Sequence, residues 1–299
     1  MTPARKEPVL SSKVRKGVIL AAGYGTRFLP ATKAQAKEML PLVDKPLIQY
    51  VVEEAVAAGL SQIVLVTAAN KRALEDHFDR QMELESILEA KGDAGRLQEV
   101  RRLADMADIA AVRQKERLGI GHAVLMARSL VGDEPFALFF PDDIIFAQAP
   151  AIGQLIRVHE KYGASVLAVE RLPLAEVVHY GVIAPRQLEK GVYEVLGIIE
   201  KPREEDAPSD LAIVGRYVLT PEVFDALADT PPSSEGEIQL TDGFTLMLQR
   251  GQRILACQYE GERFDTGRPI GLLKAAVAEG LRRPDIGPEL RQYLLSRLN

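Results

Sequence analysis

The chain has 299 residues, of which 47% are hydrophobic and 26% charged, and its formal net charge is −5. This length suits one large α/β domain or two smaller ones, with enough apolar residues for a sizeable core. The negative charge argues against a nucleic-acid-binding protein, which would present a basic surface. The single cysteine, Cys257, excludes an internal disulfide and a zinc cluster, and its strand-like neighbours indicate a buried thiol.

The sequence contains no apolar run of membrane-spanning length, and its N-terminus lacks the apolar segment of a signal peptide. We therefore expect a cytoplasmic protein without a membrane partner. Residues 1–16 are rich in lysine and arginine, and we interpret them as a basic, flexible N-terminal tail.

The first predicted strand, residues 18–20, runs into a turn that contains Gly23 and Gly25. Glycine lets the main chain approach a ligand where a Cβ would collide. With Arg27 and Lys37 following, the pattern is typical of a loop that receives a polyphosphate. Neither the dinucleotide fingerprint nor the P-loop fits, because the required third glycine and the Gly-Lys-Ser/Thr triplet are absent.

The next elements form a predicted βαβ unit. Residues 46–59 have the pattern of an amphipathic helix and residues 62–68 that of a buried parallel strand. Residues 71–105 favour helix and show no recognisable chemistry. A short strand at 109–113 precedes Gln114, and a helix opens at 118–123, where we interpret His122 as structural.

A second apolar run, residues 136–140, ends in Asp142 and Asp143. In open α/β folds the carboxyl ends of the strands are where ligands bind. Two adjacent carboxylates there are either turn and cap residues or ligands of a hard cation such as Mg²⁺, and a phosphate loop elsewhere in the chain favours the cation.

The remaining sequence predicts more strands than helices before a helical C-terminus. Thr241 or Asp242 is interpreted either as a helix N-cap or as a substrate contact. Helices are predicted at 148–162, after Pro221, after 237–242, at 271–279 and at 284–299, and strands at 165–170, 180–183, 195–200, 211–219 and 253–259. We expect a three-layer α/β/α Rossmann-like sandwich with a mixed central sheet and a smaller β-rich subdomain, in one domain of residues 17–283 followed by a C-terminal helix of residues 284–299.

The motifs resemble, in order, the signature of the sugar-1-phosphate nucleotidyltransferases. The similarity rests on Gly23-Tyr-Gly-Thr-Arg27, Pro30, Thr32-Lys33, Lys37-Glu-Met-Leu-Pro41 and Lys45-Pro46, and it extends from about Lys16 to about Glu279. One position departs from the family pattern: Ala36 stands where the family has proline. Proline fixes φ and alanine does not, so the departure concerns how rigidly the loop presents Lys37.

The resemblance implies that UTP and glucose 1-phosphate are converted to UDP-glucose and pyrophosphate with Mg²⁺ as cofactor, by a homodimer or homotetramer. Two alternatives remain open at this point. One is a thymidylyltransferase of the same superfamily. The other is a catalytically weak paralogue that binds a sugar nucleotide and modulates a partner enzyme, for which Ala36 is the supporting feature.

The same resemblance assigns roles to individual residues. It implies catalytic roles for Arg27, Lys37, Asp142, Lys201 and Asp265, with Asp142 and Asp265 holding the metal. The implied substrate contacts are Ala21, Ala22, Gly23, Gly25 and Thr26 in the phosphate loop, Gln114 and Gly119 at the base, Gly181 and Glu200 at the hexose, Lys201 at the sugar phosphate, and Asp143, which orients the loop or a sugar hydroxyl.

Overall fold

The computed structural model describes residues 13–298. The expected basic tail lies almost wholly outside this range. The strands are β1 (Lys16–Leu20), β2 (Pro41–Leu42), β3 (Lys45–Pro46), β4 (Gln62–Thr67), β5 (Asp108–Arg113), β6 (Phe136–Phe139), β7 (Asp143–Phe146), β8 (Ser165–Arg171), β9 (Gly181–Glu189), β10 (Val192–Glu200), β11 (Leu211–Leu219), β12 (Ile254–Gln258) and β13 (Glu262–Asp265).

The α-helices alternate with these strands. They are α1 (Leu47–Ala57), α2 (Ala73–Asp76), α3 (Met82–Ala90), α4 (Ala94–Ala104), α5 (Gly119–Met126), α6 (Arg128–Val131), α7 (Ala151–Tyr162), α8 (Leu174–Val177), α9 (Glu222–Asp229), α10 (Leu240–Gln249), α11 (Pro269–Arg282) and α12 (Gly287–Leu298). Within residues 13–298, no helix combines the length and the apolar character that a membrane crossing needs.

A nine-stranded mixed sheet has the order β5-β4-β1-β6-β11-β8-β12-β10-β9. Strands β5, β4, β1 and β6 are parallel to one another. Strand β11 runs antiparallel to both β6 and β8, and β8 and β12 are parallel to each other. The parallel pairing follows from the predicted βαβ units, because a strand, helix and strand in succession bring the second strand back in the same direction. The fold prediction is confirmed.

Side chains of each strand alternate between two hydrophobic cores, one on each face of the sheet. On β1, Ile19 packs with α1 and α7, whereas Val18 packs with α5, α9 and α10. Cys257 lies in the first of these cores, where burial raises the pKa of its thiol to about 11, as expected for an inert core residue.

The predicted β-rich region is continuous with the central sheet. The β9–β10 hairpin forms the sheet edge next to β12, and β9 also pairs with β11. A separate two-stranded sheet joins β7 to β13 and pairs Asp143 with Asp265. This small sheet therefore brings the two predicted acidic segments together, although more than a hundred residues separate them in the chain.

Candidate active site

The candidate site lies where β1, β4, β5 and β6 end, because the carboxyl ends of parallel strands share one edge of a sheet. Two cavities open there, with volumes of about 280 Å³ and 380 Å³. Both are lined by Ile120, Phe140 and Asp142. We call the first the nucleotide half and the second the sugar half of one cleft, after the ligands that the sequence analysis predicts for their lining residues, and Asp142 lines both.

Lys37 and Asp142 form an ion pair at this junction, with 2.7 Å between Nζ and Oδ2. Burial alone would lower the pKa of Lys37, but the charges of Asp142 and Glu38 outweigh it and the pKa lies above its usual value. Burial alone would raise the pKa of Asp142, but Lys37 brings it below its usual value. Both groups are therefore charged at neutral pH.

Asp265 faces the same point as Asp142. A Cβ built on Gly267 would lie 2.9 Å from Asp142 Oδ2, 2.9 Å from Asp265 Oδ1 and 3.6 Å from Arg27 Nη1. Only glycine leaves this space open. No group of three or more potential ligands exists in residues 13–298. A cation here would be held by the two carboxylates and by substrate phosphates, which is how proteins commonly bind Mg²⁺.

The segment that carries Lys37 is anchored on both sides. Glu38 is 1% exposed and accepts hydrogen bonds from Lys71 at 2.8 and 2.9 Å. Ala36 is buried in the hydrophobic core and has extended backbone with φ −64° and ψ 138°. Proline would impose nearly the same φ. The tertiary structure thus gives Ala36 the conformation that the family's proline would have imposed.

Replacing Ala36 with proline is expected to stabilise the protein by about 0.4–1 kcal/mol, because proline restricts the unfolded chain at a position whose native φ it already matches. The Ala36 amide donates no hydrogen bond to another residue of the range 13–298, so none is lost. Urea denaturation measures the effect, and turnover is expected to stay within about twofold of wild type. Loss of stability would show that the buried site has no room for the ring.

The phosphate loop begins at the end of β1. Gly25 has φ +68°, and a Cβ there would lie 3.0 Å from the Lys37 Cβ, so this position needs glycine. A Cβ on Gly23 would meet no atom of residues 13–298 within 4 Å, apart from its neighbours in the chain. The Thr32 hydroxyl donates to the Gly25 oxygen at 2.8 Å and holds the far end of the loop. Open space beside Gly23 leaves its backbone accessible to a ligand.

Asp143 is engaged by the protein itself. Its Oδ1 accepts from Arg263 at 2.8 Å and its Oδ2 accepts from the Gly215 amide at 2.7 Å. Arg263 also donates to Glu170 and Tyr180. Of the two roles implied for Asp143, these contacts favour orientation of the loop.

A buried arginine supports the same acidic turn from behind. Arg216 is 0% exposed and donates to the backbone oxygens of Phe140 at 3.1 Å and Asp143 at 2.7 Å. It also forms an ion pair with Glu54, whose second oxygen accepts from the Ile152 amide. The position of the turn therefore depends on a side chain from β11 and another from α1.

In the nucleotide half, Gln114 is only 6% exposed and not a solvated loop residue. Its Nε2 donates to the Gly119 oxygen at 3.1 Å and lies 3.1 Å from His122 Nδ1. Gly119 has φ +94°, and a Cβ there would lie 2.7 Å from the Ile238 oxygen. His122 thus orients Gln114, in keeping with its predicted structural role.

In the sugar half, Gly181, Glu200, Lys201 and Thr241 line one cavity. Lys201 has φ +47°, a conformation rare outside glycine and common at functional sites. Its Nζ lies 3.7 Å from Glu200 Oε1. Of the two interpretations of Thr241 and Asp242, the N-cap is wrong, because α10 begins at Leu240 with Gln239 as its N-cap residue. Thr241 instead lies in the first helical turn, and its buried hydroxyl has no hydrogen-bond partner within the described part of the chain.

Several side chains that shape this cleft are not predicted from the sequence: Lys71, Arg117, Arg216, Arg263 and Arg268. Arg216 did carry a signal, because a lone charge in the otherwise apolar run 211–219 indicates a buried, paired arginine. Arg117 and Arg268 stand in polar loops, where nothing in the local sequence distinguishes them from solvated cations.

The fold and the cleft define a nucleotidyltransferase. The nucleotidyl transferase family model matches residues 16–280, and the chain belongs to this family. A UTP–glucose-1-phosphate uridylyltransferase of Staphylococcus epidermidis is 48% identical over 282 residues, which cover 94% of this chain and 98% of that protein.

Solved structures agree with the sequence comparison. A UDP-glucose pyrophosphorylase complexed with UDP-glucose is 43% identical, with a TM-score of 0.83, covering 90% of this chain and 100% of that one. A UTP-bound enzyme of the same kind from Acinetobacter baumannii is 40% identical, with a TM-score of 0.88, covering 94% and 99% of the two chains.

Proposed function

We propose that this protein transfers a uridylyl group from UTP to glucose 1-phosphate and releases pyrophosphate. The observation that carries the proposal is the meeting of two half-clefts at Asp142, with the phosphate loop and Lys37 on one side and Lys201 on the other. The full-length similarity to uridylyltransferases supports UTP and glucose 1-phosphate as the substrates.

In this reaction an oxygen of the sugar phosphate attacks the α-phosphorus of UTP. A new phosphorus–oxygen bond forms while the bond from the α-phosphorus to the bridging oxygen breaks, and pyrophosphate leaves. No protein base is required, because the attacking oxygen is already anionic. The physical difficulty is the approach of two anions, since each pair of unit charges ~4 Å apart repels by roughly 4 kcal/mol at an effective dielectric constant of about 20.

Arg27, Lys37 and Lys201 are the side chains that we propose offset this repulsion. Lys201 binds the phosphate of the sugar, and Lys37 stabilises the phosphates of the nucleotide. Arg27 lines the sugar half together with Asp142 and Asp265, so it acts where the two phosphates meet. Mg²⁺, with Asp142 and Asp265 as its protein ligands, supplies further positive charge when it is bound.

The two ends of the substrates are bound by different residues. The Gln114 amide and the Gly119 backbone bind the uracil edge, and Gly181 with Glu200 binds the hexose. The loop backbone at Ala21, Ala22, Gly23, Gly25 and Thr26 receives the nucleotide. Homodimer or homotetramer assembly stays a prediction.

Pyrophosphate release tests the function directly, with glucose 1-phosphate, Mg²⁺ and each of UTP, dTTP, CTP, ATP and GTP. We expect strong release with UTP, and a kcat/KM for dTTP lower by roughly 10- to 100-fold, because a pocket gains only about 1–3 kcal/mol from a methyl-sized difference. Equal rates with UTP and dTTP would count against the uridylyltransferase and favour a thymidylyltransferase.

Deoxyuridine triphosphate is the control for this comparison, because it lacks the 2′-hydroxyl of UTP and also lacks the methyl group of dTTP. Its rate separates recognition of the ribose from recognition of the base. Tight binding of UDP-glucose without pyrophosphate release from any nucleotide would instead identify the regulatory paralogue.

A further inference from the structure

Arg117 reaches across the nucleotide half of the cleft, from the loop before α5 to the phosphate loop. Its Nε donates a hydrogen bond to the Ala22 oxygen at 3.0 Å. Its guanidinium carbon lies 3.4 Å from the centroid of the Tyr24 ring. One contact lies in the plane of the guanidinium and the other on its face, so together they fix its orientation.

The remaining donors of Arg117 are unused by the protein. Its two Nη atoms make no hydrogen bond to any other residue in the range 13–298. Arg216 differs in this respect, since all of its guanidinium nitrogens donate to protein acceptors. Arg117 is exposed and lines the same cavity as Lys37 and Asp142, so its unused donors are available to a ligand there.

Within residues 13–298, Arg117 lacks the acidic partner that the neighbouring lysines have, although Glu38, Asp142 and Glu237 also line this cavity. Lys37 is paired with Asp142 and Lys71 with Glu38, while Arg117 makes no ion pair with another residue of the described range. Burial lowers the pKa of Lys71, Glu38 opposes that shift, and the charges of Lys37 and Arg117 add to it. A bound phosphate would relieve this repulsion among the three cations.

The phosphate loop is held independently of Arg117. The Ala21 amide donates to the Val66 oxygen at 2.8 Å, and the Thr32 hydroxyl donates to the Gly25 oxygen at 2.8 Å. Tyr24 is 69% exposed and packs its ring against the guanidinium. The loop therefore positions Arg117, and replacement of Arg117 is expected to leave the loop in place.

We propose that Arg117 binds the β- and γ-phosphates of the nucleoside triphosphate through its two Nη atoms, with Tyr24 as the surface on which its guanidinium stacks. The planar guanidinium matches two phosphate oxygens at once. This inference rests on the proposed function. In the reverse reaction the same residue binds pyrophosphate, because the β- and γ-phosphates of UTP are the pyrophosphate that leaves.

UDP-glucose provides the comparison that tests the proposal, because it carries the α-phosphate of UTP and lacks the leaving pyrophosphate. Calorimetric titration with UTP and with UDP-glucose, each with Mg²⁺, is compared for wild type, Arg117→Gln and Lys115→Gln. Lys115 is exposed in the same loop and does not line the cleft, so its replacement removes one positive charge without the proposed contact.

We expect Arg117→Gln to weaken UTP binding by roughly 10- to 100-fold, the range of hydrogen bonds to charged groups, and to leave UDP-glucose binding within about twofold. Lys115→Gln is expected to change neither. Tyr24→Leu is expected to weaken UTP binding by a smaller factor, because it removes the stacking surface and keeps both Nη donors of Arg117.

Equal weakening of UTP and UDP-glucose by Arg117→Gln would overturn the proposal and assign Arg117 to the nucleoside or to the loop. Unchanged UTP binding would overturn it as well. Since binding is measured without turnover, a failure of the uridylyltransferase assignment appears separately, as a lack of pyrophosphate release in the wild-type protein.

Discussion

Replacement of Asp142 with asparagine is expected to lower kcat by roughly 10³-fold while the protein stays folded. Asparagine keeps the size of the side chain and removes its charge. The variant thereby loses one of two carboxylates that face the space above Gly267 and also the ionic partner of Lys37. A loss of about 4 kcal/mol in transition-state stabilisation corresponds to this factor, and metal or oxyanion contacts supply that much.

Steady-state pyrophosphate release over a range of Mg²⁺ concentrations measures the effect, and circular dichroism confirms the fold. Asp265→Asn is expected to behave similarly, since Asp265 shares the proposed metal site. Asp105→Asn is the matched control, because this exposed residue lies at the end of α4 outside the cleft. Near-normal turnover of Asp142→Asn with Mg²⁺ would refute the assignment of the metal to Asp142.

Replacement of Arg216 with methionine is expected to lower the free energy of unfolding by about 3–5 kcal/mol. The change leaves the carboxylate of Glu54, whose side chain is 9% exposed, without its partner. An uncompensated buried charge is among the most destabilising consequences of a single substitution. The backbone oxygens of Phe140 and Asp143 lose their donor at the same time, so kcat should also fall.

The double variant Arg216→Met with Glu54→Gln separates charge from packing. Glutamine keeps an oxygen for the Ile152 amide and removes the unpaired charge, so we expect part of the stability to return. Urea denaturation of the wild type and the two variants measures the difference. If the double variant were as unstable as the single one, lost packing and not the buried charge would be the cause.

Much of the site could be read from local sequence because its chemistry follows strand ends. The phosphate loop follows β1 and Asp142 follows β6, so a βα pattern alone assigns them to one edge of a sheet. Gln114 follows β5 at the same edge, but only the family resemblance gives it a role. Asp265 was assigned only through family resemblance, since nothing local distinguishes it from other acids near a strand end. Its pairing with Asp143 across the β7–β13 sheet supplies the physical basis.

The amino-acid sequence by itself determined most of the strands and helices, the phosphate loop and the family, because hydrophobic periodicity and glycine positions act over a few residues. It did not predict β7 or β13, which are short and, among the strands of residues 13–298, pair only with each other. Only the tertiary structure decided which distant side chains support the site: Arg216 with Glu54, Arg263 with Asp143, Lys71 with Glu38, and Arg117 with the Ala22 oxygen. These contacts depend on the order of strands in the sheet, above all on the insertion of β11 between β6 and β8. Strand order is set by how the whole chain buries its apolar faces, and no short stretch of sequence contains that information.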